Sequence, residues 1–190
     1  MKNFIVGSIA LYCFGMMVYA IWSYLAFVGL EKRDWVGSLV YIPHGVRVMA
    51  MCYFGYRSIP ALYAIEITGP IMVYPEQYFD VWPIASIASL LSVVAACEIV
   101  KWSFSNTKGT IFMPINFTNY RSLVLVIVLS GLMNAISANL VTSLMTGIDL
   151  SVTVIARFFI GDVIGACVLV LFLSALFTTL RVNRLLVSDK

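Results

Sequence analysis

Charged residues are scarce in this 190-residue sequence. Only 11% of the side chains are charged and 62% are apolar, whereas a typical soluble domain has roughly 25% charged residues. The mean hydropathy is +0.98. This composition excludes a soluble globular domain and indicates an integral membrane protein. The length accommodates about six or seven spans of roughly 20 residues, with little chain left for a catalytic domain outside the membrane.

Metal-binding and nucleophilic patterns are also scarce. The chain has one histidine, His44, and four cysteines without a CxxC spacing, so we expect no metal site, no cofactor and no disulfide framework. Ligation of a haem or a pigment magnesium by His44 is the open alternative to an ordinary hydrogen-bonded interior histidine. No nucleophile motif and no histidine–carboxylate pair at helical spacing is present, which argues against an enzyme.

Six apolar runs predict an all-helical integral membrane bundle that forms one transmembrane domain over 1–190. The predicted spans are 4–28, 36–55, 57–74, 82–104, 120–146 and 152–180, each near the ~20 residues that cross a bilayer. The third span is the least regular, because Pro60 opens it and Gly69-Pro70 can end it early. A helix that ends there would be short or re-entrant and buried against protein.

Basic residues are divided unevenly between the two sides of such a bundle. With the termini inside, the inner segments hold eight of the 12 basic residues, namely Lys2, Arg57, Lys101, Lys108, Arg121, Arg181, Arg184 and Lys190. The outer loops hold only Lys32 and Arg33. Because basic residues near helix ends favour the cytoplasmic side, both termini are expected in the cytoplasm. The basic residues form no stripe, so nucleic acid is not an expected partner.

Charged side chains inside the predicted spans mark a candidate polar site. The stretch Tyr41–Pro60 places His44 and Arg47 within an apolar run, and an arginine at mid-bilayer costs at least about 2.5–3.5 kcal/mol. If the second and third helices turn near Gly55-Tyr56, Arg47 and Glu66 both lie roughly 12–15 Å from the inner surface and should be neighbours. Mutual neutralisation is one interpretation of this pair. Presentation of Arg47 to an anionic ligand is the other.

The fifth and sixth runs add further intramembrane polar residues. Asp162 lies about 15 Å from the outer end of its run, near the depth of Arg47. Asn134 belongs to a small polar stripe that reaches the same layer. The second, third, fifth and sixth helices are therefore expected to enclose a ligand pocket lined by His44, Arg47, Glu66, Asn134, Arg157 and Asp162.

Small residues and a proline predict close packing around this pocket. Pro43 and Gly45 flank His44, where proline removes a backbone donor and glycine permits the close approach of a neighbour or a ligand. Gly161 and Gly165 form a small-xxx-small face, which is expected to receive another helix.

Three short motifs occur in order along the chain. They are Pro43-His-Gly45, Gly55-Tyr-Arg57-Ser-Ile-Pro60 and Phe159-Ile-Gly161-Asp162-Val-Ile-Gly165. Their order, over about residues 35–175, resembles the prokaryotic membrane-associated sensor (MASE-type) domains found ahead of diguanylate cyclases, histidine kinases and phosphodiesterases. The resemblance implies a sensory bundle in the bacterial inner membrane. Family members usually carry a cytoplasmic output domain, whereas only about ten residues follow the last predicted helix, and the proline that often follows the Gly-Asp element is absent.

These features predict a sensor-like or ligand-binding membrane module that acts through a separate membrane or cytoplasmic protein. The longest connection, 103–119, and the C-terminal tail are the expected contacts of that partner, although 103–119 is also typical of a plain interfacial loop. One alternative is an accessory subunit of a larger membrane complex. Another is a small transporter or channel that uses the midplane charges. The residues do not identify the ligand.

Overall fold

The chain is almost entirely helical in the computed structural model, which describes residues 2–26, 38–71, 81–104, 120–147 and 149–188. The helices are α1 (Lys2–Leu25), α2 (Ile42–Phe54), α3 (Ile59–Ile71), α4 (Trp82–Phe104), α5 (Tyr120–Thr146) and α6 (Val152–Ser188), with a 3₁₀ turn at Gly55–Ser58. These ranges contain no strand. The predicted all-helical fold is confirmed for them.

Four helices in the described ranges are long and apolar enough to cross a membrane, over Phe4–Leu25, Trp82–Ser103, Tyr120–Thr146 and Val152–Leu180. They identify a multi-pass membrane protein. The helices α2 and α3 have 13 residues each and are therefore about 20 Å long. The hydrocarbon core is ~30 Å thick, so the prediction of six long spans is confirmed only for four helices.

The second helix begins later than its predicted start at residue 36. It starts at Ile42, with Pro43 in its first turn, where the missing N–H of proline leaves no hydrogen bond broken. A proline also disfavours helical geometry in the residue before it. The third helix is described as far as Ile71, and the remainder of its predicted span, 72–74, lies outside the described residues. The sixth helix continues to Ser188 instead of ending at 180 as predicted. Most of the predicted surface loop, from 105 to 119, lies outside the described residues.

Residues 38–41 form a non-helical segment that leads into α2. The Tyr41 N–H donates to the Gly161 carbonyl oxygen at 2.9 Å, and the Trp22 indole N–H donates to the Val40 carbonyl oxygen at 2.6 Å. The Val40 N–H donates to the Ser38 hydroxyl at 3.2 Å. Non-helical backbone is tolerated at membrane depth only when its polar groups are satisfied by protein, and these bonds meet that condition.

Gly161 and Gly165, which are predicted to receive another helix, lie against the entrance to α2. A Cβ atom at Gly161 would overlap the Ser38 carbonyl oxygen, and one at Gly165 would overlap the Tyr41 carbonyl and lie 2.6 Å from the Ile42 nitrogen. Their neighbours are therefore the segment 38–41 and the first residue of α2. Helix α2 reaches α6 immediately afterwards, where a Cβ at Gly45 would lie 2.9 Å from Leu169 Cβ.

A tight turn reverses the chain between α2 and α3. Gly55 ends α2 with φ 60° and ψ −146°, a backbone conformation that is essentially restricted to glycine. The Ser58 hydroxyl donates to the Gly55 carbonyl oxygen at 2.7 Å, which closes the 3₁₀ turn. The predicted turn near Gly55-Tyr56 is confirmed.

The short helix α2 is the centre of the bundle. It contacts each of the other five helices, and nine of its 13 residues are buried. Helix α1 packs outside α2 and α3, with Gly15 against the Ile65 side chain and Gly69 against the Tyr19 ring. The side chains of His44 and Arg47 on α2 are therefore enclosed by protein.

Candidate functional site

Arg47 and Glu66 form an ion pair in the protein interior. Arg47 Nε lies 3.1 Å from Glu66 Oε1, and the two side chains are 3% and 8% exposed. The guanidinium Nη1 also donates to the Ser89 hydroxyl, and the guanidinium carbon lies 5.2 Å from the centroid of the Tyr41 ring. The predicted pairing of Arg47 with Glu66 is confirmed.

A second group of polar side chains surrounds Asp162. The Asn134 amide donates to Asp162 Oδ2 at 2.6 Å, and His44 Nδ1 lies 3.7 Å from the same oxygen. The other ring nitrogen, His44 Nε2, lies 3.0 Å from the Ser130 hydroxyl oxygen. All four residues are buried. The predicted polar surroundings of Asp162 are confirmed.

These two groups adjoin on α2 because His44 and Arg47 are three residues apart and share one helical face. Asn134 and Ser130, four residues apart on α5, face the same interior by the same rule. We define the polar cluster as His44, Arg47, Glu66, Ser89, Ser130, Asn134 and Asp162. The polar cluster joins five helices, α2 to α6.

Negative charge exceeds positive charge in the polar cluster. Glu66 and Asp162 each carry a carboxylate when ionised, and Arg47 is the cation between them. Arg47 pairs directly with Glu66, whereas the closest hydrogen-bond donor to Asp162 is the neutral amide of Asn134. A buried carboxylate requires a counter-charge, a proton or strong hydrogen bonds. Asp162 is thus the site of the excess charge.

Four buried polar atoms of the polar cluster make no hydrogen bond. Two of them, Arg47 Nε and Glu66 Oε1, face each other in the ion pair. The other two are His44 Nδ1, which faces Asp162, and Asn134 Oδ1. Buried side-chain polar atoms in folded proteins are almost always paired. Because these last two atoms belong to neighbours of Asp162, this part of the polar cluster has the capacity to accept a hydrogen or a cation.

Five of the six predicted pocket residues belong to the polar cluster. The sixth, Arg157, is half-buried on α6 and lies five residues before Asp162. Five residues correspond to about 500° of helical rotation, which turns Arg157 to a different face of α6 from Asp162. The four predicted packing residues, Pro43, Gly45, Gly161 and Gly165, are all buried.

The sequence interpretation missed the contribution of α4 and of Tyr41. Ser86, Ser89 and Ser92 recur every three residues on α4 and are all buried. This spacing places them along one helical face and was a usable signal for a polar interior. Tyr41 precedes α2, and its ring packs beside the Arg47 guanidinium.

Among the described residues, no three His, Cys, Asp or Glu side chains are grouped as a metal site requires. His44 has Asp162 as its nearest acidic neighbour and Ser130 on its other side. Both ring nitrogens thus face protein side chains. This arrangement favours a hydrogen-bonded histidine over a pigment or haem ligand.

A comparison of the chain with protein-family models, curated proteins and solved structures finds no match. The resemblance to MASE-type domains thus rests on the three motifs alone. Gly45, Gly161 and Gly165, from two of these motifs, lie at the contact of α6 with α2 and the segment 38–41, and Asp162 lies in the polar cluster.

Proposed function

We propose that this protein is a sensor-like membrane module that binds a small ligand or ion in the polar cluster and transmits the occupied state to a separate protein through α6. The observation that carries the proposal is the excess buried carboxylate, Asp162, on the helix that extends farthest from the cluster. The role proposed here is binding and coupling, without catalysis.

The energetics of buried charge favour a functional role over a purely structural one. A buried ion pair commonly adds little net stability compared with apolar residues of similar volume. Arg47 and Glu66 alone are explicable as a register device for α2 and α3. The charge of Asp162 has no such explanation, because a neutral side chain with an oxygen acceptor could keep the hydrogen bond from Asn134 without an unbalanced charge.

Helix α6 offers a direct route from the cluster to one side of the membrane. It continues from Asp162 to Ser188 without a break, a distance of about 39 Å at 1.5 Å per residue. The same helix also carries Gly161 and Gly165, which hold the segment 38–41. A change in the charge of Asp162 would therefore act on α6 and on the entrance to α2 together.

We propose six membrane crossings with cytoplasmic termini, as in a bacterial inner membrane protein. The 13 residues of α2 cover about 20 Å, and the four residues 38–41 add up to about 13 Å when extended. Together they are long enough for the hydrocarbon core. The Tyr56 ring in the turn lies 5.5 Å from Lys101 Nζ, near the end of the long helix α4, which supports a turn close to the membrane surface.

Thiol labelling from each side of the membrane tests this topology. Arg57, which is exposed in the turn, is replaced by cysteine in a cysteine-free chain and treated with a membrane-impermeant reagent in right-side-out and inverted vesicles. Labelling only from the cytoplasmic side supports six crossings. Labelling only from the outside, or from neither side, would contradict six crossings and indicate a re-entrant α2–α3 pair in a protein with four crossings.

A distance measurement between two helices tests the sensor-like function. Spin labels are attached at Trp102 on α4 and Leu180 on α6, both exposed, in the same cysteine-free chain. If the cluster controls α6, Asp162→Asn should shift the distance distribution relative to the parent chain. The matched control is Ile164→Ala on the exposed face of α6, which should leave the distribution unchanged.

Identical distributions in all three proteins would contradict coupling through α6. Isolation of the protein from its native membrane in mild detergent then distinguishes the remaining functions. A large stoichiometric complex would favour an accessory subunit.

A transporter is the second candidate function. It is favoured by the non-helical segment 38–41, which adjoins the charged cluster at membrane depth, because many transporters bind ions where a helix is interrupted. Uptake of a radiolabelled ion into proteoliposomes that depends on Asp162 would favour transport over sensing.

A further inference from the structure

In one of the two neutral tautomers of His44, hydrogen-bond acceptors of His44 and Asp162 face each other, and one additional hydrogen resolves this conflict. The Ser130 hydroxyl can donate its hydrogen to the Ile127 carbonyl oxygen, 3.3 Å away. In that arrangement His44 Nε2 donates to Ser130 at 3.0 Å, and His44 Nδ1 presents a lone pair. This lone pair faces Asp162 Oδ2 at 3.7 Å. Two hydrogen-bond acceptors then face each other in a buried site.

The charge balance of the cluster leads to the same conclusion. Glu66 neutralises Arg47 through their direct contact at 3.1 Å, and Asp162 is left with the neutral amide of Asn134. Asp162 is 1% exposed and His44 is fully buried. Solvent therefore does not screen the remaining negative charge, which favours uptake of a positive charge at this position.

We propose that His44 and Asp162 together bind one exchangeable proton, which is the ligand of the polar cluster. This inference rests on the proposed function, because it names the ligand of the same site. The proton comes from the aqueous phase and forms a bond to Asp162 Oδ2 or His44 Nδ1. It converts two facing acceptors into a donor and an acceptor, and it brings the buried cluster to electrical neutrality.

Charged groups from two helices act on this pair. Arg47 on α2 acts on both His44 and Asp162, and Glu66 on α3 acts on Asp162. Tyr19 on α1 and Tyr41 before α2 act on Arg47. The neutral polar groups of the cluster are Ser89 on α4 and Ser130 and Asn134 on α5. Arg47 is the cation of this set and is already paired with Glu66. A proton therefore neutralises the most uncompensated charge when it binds at the His44–Asp162 pair.

A proton fits this site better than a larger ligand. The side chains lie close to each other, with the Asn134 amide nitrogen 2.6 Å and His44 Nδ1 3.7 Å from Asp162 Oδ2. The excess negative charge disfavours an anion. A metal ion would need more ligands than the described acidic, cysteine and histidine groups provide here.

Nuclear magnetic resonance of the His44 imidazole tests the proposal directly, because His44 is the one histidine of the chain. The protein is labelled with ¹⁵N-histidine, reconstituted in lipid nanodiscs, and titrated over the pH range in which it stays folded. We expect both ring nitrogens to report a single one-proton step. Asp162→Asn should abolish that step or move it by more than one pH unit.

The matched control is Asp149→Asn, which makes the same chemical change at an exposed aspartate and should leave the His44 titration unchanged. Helical circular dichroism and a single size-exclusion peak establish that each variant is folded. If Asp162→Asn does not fold, the wild-type protein is labelled with ¹³C-aspartate and its carboxyl infrared band is followed during the titration. One aspartate should then lose its proton in the same step that changes the His44 resonances.

His44 resonances that are unchanged over the whole range, or that titrate identically in Asp162→Asn, would overturn the proposal. Repeating the titration in sodium and in potassium salts separates a proton from a metal cation, because a step that vanishes in one salt would assign the site to that cation instead. A proton step without any change in the distance between Trp102 and Leu180 would leave the proton site intact and contradict only the sensor-like function.

Discussion

The ion pairs Arg47–Glu66 and Glu98–Lys101 have similar chemistry and different surroundings. Arg47 and Glu66 join two helices and are 3% and 8% exposed. Lys101 and Glu98 lie one turn apart on α4, 2.7 Å from each other, and are 21% and 34% exposed.

Burial decides how strongly the loss of one partner of an ion pair affects the stability of the protein. Breaking a buried pair leaves an isolated charge in a medium of low polarity, whereas an exposed charge is stabilised by water and salt. The buried pair also has a third charged neighbour, Asp162, and therefore responds asymmetrically to the loss of the cation or the anion. Four substitution experiments test this difference, in decreasing order of expected effect.

Arg47→Met is expected to cause the largest loss, about 3–5 kcal/mol of unfolding free energy, because Glu66 and Asp162 are then both without their cation. Glu66→Leu should cost less, since Arg47 remains to balance Asp162. Adding Glu66→Leu to Arg47→Met should restore part of the loss. Reversible unfolding in mixed detergent micelles measures the unfolding free energy of the wild type, the two single variants and the double variant. Additive losses in this double-mutant cycle would contradict direct pairing.

Gly165→Ala tests whether the buried region depends on the contact between α6 and the segment 38–41. The new methyl group would overlap the Tyr41 carbonyl, and we expect a loss of about 1–3 kcal/mol or more, as for other overpacked interiors. Gly7→Ala on α1 is the control, because nothing lies within 4 Å of its Cβ position. Equal stability of the two variants would exclude close packing at Gly165.

A comparison of Asp162→Leu with Asp162→Asn separates the hydrogen-bonding role of Asp162 from its charge. The substitution leaves the buried Asn134 amide without its acceptor, which should cost about 1–3 kcal/mol. Asp162→Asn keeps the shape and removes the excess charge, so its unfolding free energy should be equal to or above that of the wild type. A loss with Asp162→Asn as large as with Asp162→Leu would show that the ionised carboxylate stabilises the fold.

Lys101→Met is expected to have the smallest effect, less than about 1 kcal/mol, because the Glu98–Lys101 pair is partly exposed. The difference from the wild type should shrink further at high salt, which screens exposed charges. The same salt series should leave the effect of Arg47→Met nearly unchanged. A loss from Lys101→Met that matches the loss from Arg47→Met would remove the distinction between the two pairs.

Local sequence patterns predicted the pairing of Arg47 with Glu66 because the two residues lie at similar distances from a recognisable turn. Gly55 marks that turn, and counting residues from it gives the depth of each side chain. The same reasoning could not predict Ser89, since its position opposite Arg47 depends on how α4 rotates and translates relative to α2.

The sequence by itself determined the membrane environment, the all-helical fold, the turn at Gly55 and most members of the polar cluster. These properties follow from apolar run length, glycine and proline conformations, and the cost of intramembrane charge, all of which act locally along the chain. Only the tertiary structure decided that α6 receives the non-helical segment 38–41 at Gly161 and Gly165, and that His44 Nδ1 faces Asp162. Such contacts join residues more than 100 positions apart, and they depend on the packing of whole helices, which no local pattern specifies.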